Sequence, residues 1–172
     1  MKLAGLFITI IITSGPVTVL QTVMAQSTSK TDLEWYHFDE ARTLAVDNNK
    51  YLFLFFEADW CGFCKQMRNE VFPVPEIHTR MNDLFYPVAV DIESDSVLTY
   101  KGKQRSERSF SHLMRINATP TIIFMNGDGD IKGIQRGFLN ESELNALLMY
   151  VGEGHIDTLK FEDFKKKHLS GE

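Results

Sequence analysis

The chain has only two cysteines, Cys61 and Cys64, within Trp60-Cys61-Gly62-Phe63-Cys64-Lys65, where an apolar run gives way to a helical pattern. Cysteine reacts as the thiolate, and a thiol at a helix start meets unpaired amide groups and the positive end of the dipole. Motifs of this kind lower the thiol pKa from about 8.5 to between about 3.5 and 7.5. Cys64 lies one helical turn further on, close enough to form a disulfide with Cys61 or to attack one that Cys61 has formed. The spacing predicts Cys61 as attacking nucleophile and Cys64 as resolving thiol, acting through a mixed disulfide. A purely structural bridge at this spacing would close a tight loop and stabilise little. Zinc requires four ligands, and no His lies beside the pair, so no metal site is expected. With 172 residues, the chain can bury about two thirds of its unfolded surface and needs no disulfide staple. The reactive group is then the Cys61–Cys64 dithiol/disulfide itself, with no further cofactor.

The elements that position this pair follow from the hydrophobic pattern. Tyr51 to Phe56 is a short, aromatic-rich apolar run, read as a central strand buried on both faces. Glu57-Ala58-Asp59-Trp60 carries the chain off it, and Cys61 opens a helix running past Met67 and Val71 until Pro73 and Pro75. A further helix is predicted from Pro75 to Asn82, then a strand over Leu84 to Ile92, where Pro87 marks a bulge or an edge. Upstream, Leu33 to Phe38 reads as a short strand or an extended lead-in. Asp39 is expected to cap a helix with Ala41, Leu44 and Ala45 apolar, ending at Asn48-Asn49. Downstream, residues 93–105 read as a polar loop. Ser106 caps a helix with Phe110, Leu113 and Met114 on one face. Thr121 to Met125 and Ile131 to Gln135 flank a Gly127-Asp128-Gly129 turn and are expected as antiparallel neighbours. Asn140-Glu141-Ser142-Glu143 starts a helix with Leu144, Leu147 and Leu148 apolar. The tail from His155 to Leu169 is amphipathic, suited to a packed final helix or to a partner-binding one. Alternation of this kind implies an α/β fold, a central mixed sheet flanked by helices.

Composition narrows the function classes. Residues 1–25 show a basic Lys2, an apolar run Leu3 to Ile12, and Val23-Met24-Ala25 at a cleavage point, the pattern of a cleavable signal peptide. The other reading, a membrane anchor, needs about 20 uninterrupted apolar residues, and Gly15-Pro16 breaks this run. The sequence therefore predicts export to the periplasm, a polar flexible leader at 26–32, and one domain with a helical tail at 33–169. A net charge of −5, one unit more negative without Lys2, argues against nucleic acid as partner. An oxidising compartment also favours redox use of the pair. Nothing in the sequence calls for more than a monomer.

Ala58-Asp59-Trp60-Cys61-Gly62-Phe63-Cys64-Lys65, followed by Ala118-Thr119-Pro120-Thr121, resembles the active site of thioredoxins. The longer similarity, over about residues 33–150, is to SoxW-type periplasmic thioredoxins and to the C-terminal domain of the transmembrane disulfide reductase DsbD. The resemblance implies the thioredoxin fold, a cis Pro120 facing the cysteines, and a Thr119 whose backbone receives the client strand. It also implies that Trp60 covers the disulfide beside the client groove, that Gly62 and Phe63 lie between the thiols, and that Phe63 is exposed to clients. Many thioredoxins carry a buried acid six residues before the first cysteine; here that position is Phe55. Glu57 is the nearest alternative, either a proton shuttle for Cys64 or a solvated loop carboxylate. Lys65 is either a surface charge or a tuner of the thiols. The implied activity is reduction of client protein disulfides, fed by a membrane thiol-electron donor of the DsbD/CcdA type. Isomerase or oxidase activity, or a non-catalytic client-binding module, are the alternatives.

Overall fold

The computed structural model describes residues 33–169; the expected signal peptide 1–25 and leader 26–32 lie outside the described residues. The central strand β1 (Tyr51–Glu57) pairs in parallel with β2 (Phe85–Asp91) and antiparallel with β5 (Thr121–Met125). A further strand, β6 (Ile131–Arg136), pairs antiparallel with β5, giving the order β2-β1-β5-β6. Strand β1 is central because its side chains can be buried on both faces: Leu52 to Phe56 are all fully buried. Each such side chain contributes about 1.5–3 kcal/mol through burial.

Alternation along β1 feeds two cores. Phe53 and Phe55 join Cys61, Cys64, Met67, Ile77, Phe85 and Leu148 on one face. Helices α2 (Gly62–Gln66), α3 (Pro75–Leu84), α5 (Glu141–Gly152) and α6 (Phe161–Leu169) contribute to that side. Leu52, Leu54 and Phe56 join Phe38, Val90, Phe110 and Ile123 on the other. That side is covered by α1 (Phe38–Asn48) and α4 (Glu107–Leu113).

Several local expectations shift. Residues 33–37 form no strand; Tyr36 meets the sheet edge through one ladder-like bond, its N–H to the Pro87 carbonyl at 2.8 Å, and an edge-on ring contact with Tyr86, so the segment is an extended lead-in. The N-cap of α1 is His37, not Asp39, because Phe38 already enters the helix to bury its ring. Asp39 sits in the first turn and accepts the Thr99 N–H at 2.8 Å through Oδ1. Residues 93–105 are not a plain loop. They contain a hairpin of β3 (Val97–Tyr100) and β4 (Lys103–Ser106), with Lys101 and Gly102 both at positive φ (47° and 74°), as a two-residue hairpin turn requires. Leu98 and Tyr100 anchor it in the second core. Leu113 faces solvent, since α4 ends there and Met114 turns inward in its place.

Other signals act as read. Pro87 lies on the outer strand β2 in unbroken register opposite Phe53, an edge and not a bulge. Asn49 ends α1 in the left-handed region (φ 50°). Ser106 caps α4 by accepting the Ser109 N–H at 3.1 Å. Asn140 and Glu143 form a reciprocal capping box at the start of α5. The tail packs as a final helix: Phe164 is buried against Tyr150, whose hydroxyl donates to the Leu159 carbonyl at 2.7 Å.

Candidate active site

The chain leaves β1 at Glu57 and turns sharply, with the Cys61 N–H donating to the Ala58 carbonyl at 3.0 Å. Cys61 is the N-cap of α2, in extended conformation, and its sulfur accepts the Cys64 N–H at 3.1 Å. Sulfur thus occupies the place where capping oxygens normally satisfy a helix-start amide, which is the setting expected from the sequence. Cys61 and Cys64 are joined in a disulfide, with their Cα atoms 5.2 Å apart. The bridge is nearly sealed: Cys61 is 3% exposed and Cys64 1%. Around it stand the large exposed apolar side chains Trp60 (64%) and Phe63 (61%). Phe63 leans on Phe138, with ring centroids 5.8 Å apart, a partner with no sequence signal. At Gly62 an added Cβ would meet nothing within 4 Å, so sterics alone do not demand glycine there. Lys65 is exposed on α2.

The start of β5 lies at the same end of the sheet as the cysteine loop. Register pairs Phe56 with Thr121, which brings the residues just before β5 to the sheet end where the cysteine loop departs. The Thr119–Pro120 bond is cis. The turn is held from both sides, since Thr121 Oγ1 donates to the Ala118 carbonyl at 2.8 Å and the Gly137 N–H donates to the Pro120 carbonyl at 2.9 Å. Thr119 Oγ1 is buried and has no hydrogen-bond partner among the described residues.

Glu57 lies neither free in a loop nor alone beside the thiols. It receives two hydrogen bonds from the Arg68 guanidinium, one from Nε to Oε2 at 2.6 Å and a shorter one from Nη2 to Oε1. Arg68 comes from a single π-helical turn, Met67–Val71, that interrupts the helix after α2, a local irregularity common near functional sites. Its guanidinium stacks 4.4 Å from the ring centroid of Trp35 and 5.6 Å from that of Phe55. The aromatic at the usual acid position therefore forms part of the floor of an arginine site. No spacing rule linked Glu57, Arg68 and Trp35 in the sequence. On the far side of the same sheet end, the Glu107 carboxylate accepts the Asp91 N–H at 3.2 Å, and burial raises its pKa above the ordinary carboxyl value.

Residues 38–152 match the family model described as a thioredoxin-like domain. Among solved structures, the DsbH oxidoreductase superposes with a TM-score of 0.57 at 18% identity, covering 72% of this chain and 86% of that one. The C-terminal domain of Neisseria meningitidis DsbD, in its oxidised form, gives 0.52 at 18% identity, covering 65% and 90%. Among curated proteins, the chain is 24% identical over 129 residues to protein disulfide isomerase-like 1-4 of Arabidopsis thaliana. That match takes in 75% of this chain and only 19% of the plant protein. These likenesses establish the fold around the cysteine pair.

Proposed function

The chain belongs to the thioredoxin-like domain family, and on that footing we propose that it is a thiol–disulfide oxidoreductase that reduces disulfides in client proteins. The observation that carries this reading is the Cys61–Cys64 disulfide at the start of α2, under exposed Trp60 and Phe63. In the reduced protein, the Cys61 thiolate attacks one sulfur of a client disulfide. A Cys61–client bond forms, and the other client sulfur leaves as a thiolate. Cys64 then loses its proton and attacks the Cys61 sulfur, closing the intramolecular disulfide and releasing the second client thiolate. Two electrons pass to the client, and two protons from the dithiol account for its two new thiols. Trp60, Phe63 and the Thr119–Pro120 turn form the surface on which an extended client segment would lie, with Gly62 leaving its approach open.

The reducing direction is supported by Trp-Cys-Gly-Phe-Cys-Lys, which is closer to reducing members than to strong oxidants carrying His between the cysteines. The N-terminal pattern supports work in the periplasm, with electrons supplied by a membrane thiol carrier. A Cys64→Ala variant, reduced and mixed with a disulfide-bearing client, is expected to accumulate a covalent mixed disulfide on Cys61. Absence of any Cys61-linked adduct by non-reducing electrophoresis and mass spectrometry would overturn the assignment of the nucleophile.

A further inference from the structure

The cysteine loop is bracketed by an ion pair. Glu57 ends β1, Arg68 follows eleven residues later, and both cysteines lie between them. Glu57 shares its strand face with Phe53 and Phe55, the face that packs on the cysteines. Arg68 stands one helical turn beyond Cys64. The guanidinium is fixed in three ways: a fork onto both Glu57 oxygens, a stack on Trp35, and a second aromatic contact with Phe55. Trp35, Phe55 and Phe72 also touch one another, with ring centroids between 5.0 and 6.2 Å apart. A bidentate, charge-assisted pair on an aromatic floor has a defined geometry, unlike a flexible surface contact.

We infer that the Glu57–Arg68 pair is a clamp on the redox loop and that Arg68 is a positioning residue for Cys64. The inference rests on the oxidoreductase reading above. When the disulfide opens, its cross-link over three residues is lost. The ion pair then remains to close the larger loop and keep the strand end against the helix. Holding the ends of a loop together limits the conformations its contents can reach, so the clamp sustains a high effective concentration of one thiol at the other. Without it the dithiol spreads and disulfide closure becomes less favourable.

The test is equilibration with glutathione, in which one protein disulfide and two glutathione thiols give one protein dithiol and one glutathione disulfide. Two electrons and two protons pass from glutathione to the cysteine sulfurs. Arg68→Met and Glu57→Gln should shift this equilibrium toward the dithiol by roughly three- to tenfold, or about 14–30 mV. Arg68→Lys, which keeps the charge but lacks the fork, should recover part of the shift. A merely structural pair would destabilise both redox forms alike and leave the constant unmoved. Folded variants whose constants stay within twofold of the wild type would overturn the clamp while leaving the oxidoreductase reading intact. A wild-type protein that never exchanges with glutathione would instead overturn that reading and the clamp with it. If Arg68→Met fails to fold, Arg68→Lys and Glu57→Gln decide the matter.

Discussion

Along β1, Phe53 and Phe55 point to one face, and Leu52, Leu54 and Phe56 to the other, and all five are fully buried. The second face is closed at its edges. The β3–β4 hairpin lays Leu98 and Tyr100 over it, and the Tyr100 hydroxyl donates to the Gly129 carbonyl at 3.0 Å, tying the hairpin to the β5–β6 turn. The first face runs instead into the disulfide, the Glu57–Arg68 pair and the exposed rings of Trp60 and Phe63. Equal burial therefore serves two purposes: one face holds the sheet, and the other also positions a reactive bond at the sheet's end. Packing does not distinguish the two. What distinguishes them is where the chain leaves the strand and which polar groups it carries out of the core.

The largest expected effect separates chemistry from fold. Cys61→Ser should remove insulin-disulfide reduction entirely while leaving the far-ultraviolet circular dichroism spectrum unchanged; retained turnover would place the chemistry elsewhere. Next come the two faces themselves. Phe110→Ala on the second face and Phe55→Ala on the first should each cost about 3–5 kcal/mol in urea unfolding. Only Phe55→Ala should also move the glutathione equilibrium, because Phe55 lies under Arg68. Equal redox shifts in both variants would erase the distinction between the faces.

Smaller effects probe the supports. Asn140→Ala removes the acceptor of the Glu143 N–H bond at the start of α5 and should cost about 1 kcal/mol without touching redox behaviour. Glu107→Gln tests the half-buried carboxylate beyond the second face. Its pKa is raised in the folded protein, so the native state holds the proton more tightly than the unfolded chain. Wild-type stability attributable to Glu107 should therefore fall as pH rises from the ordinary carboxyl range through the raised value. The difference between wild type and Glu107→Gln, measured by urea unfolding across that range, should show this slope; a difference that does not vary with pH would contradict it.

What could be read from the sequence depended on how local each signal was. Tyr51 to Phe56, Gly127 to Gly129 and Asn140 to Glu143 announce a buried strand, a turn and a helix start through residues adjacent in the chain. The cysteine pair was legible for the same reason, since its spacing and its place at a strand-to-helix junction are both local. The β3–β4 hairpin was hidden because Lys103-Gln104-Arg105 is a poor strand sequence, held in register by Leu98 and Tyr100 packing on a distant core. Asp39 looked like a cap, but Thr99, sixty residues away, claims its carboxylate. Arg68 and Trp35 carry no local signal because their partnership is made by the fold. Gly127 belongs to both groups: its turn was visible, but a Cβ there would come within 2.4 Å of Val46 Cγ2, a constraint set by the approach of α1.

A Cys61–Cys64 couple that works as a reducing thiol exchanger has a reduction potential near that of thioredoxin, about −270 mV, and redox titration of the purified protein should return that value. A potential near about −120 mV, that of a strong oxidant, would contradict the reducing role.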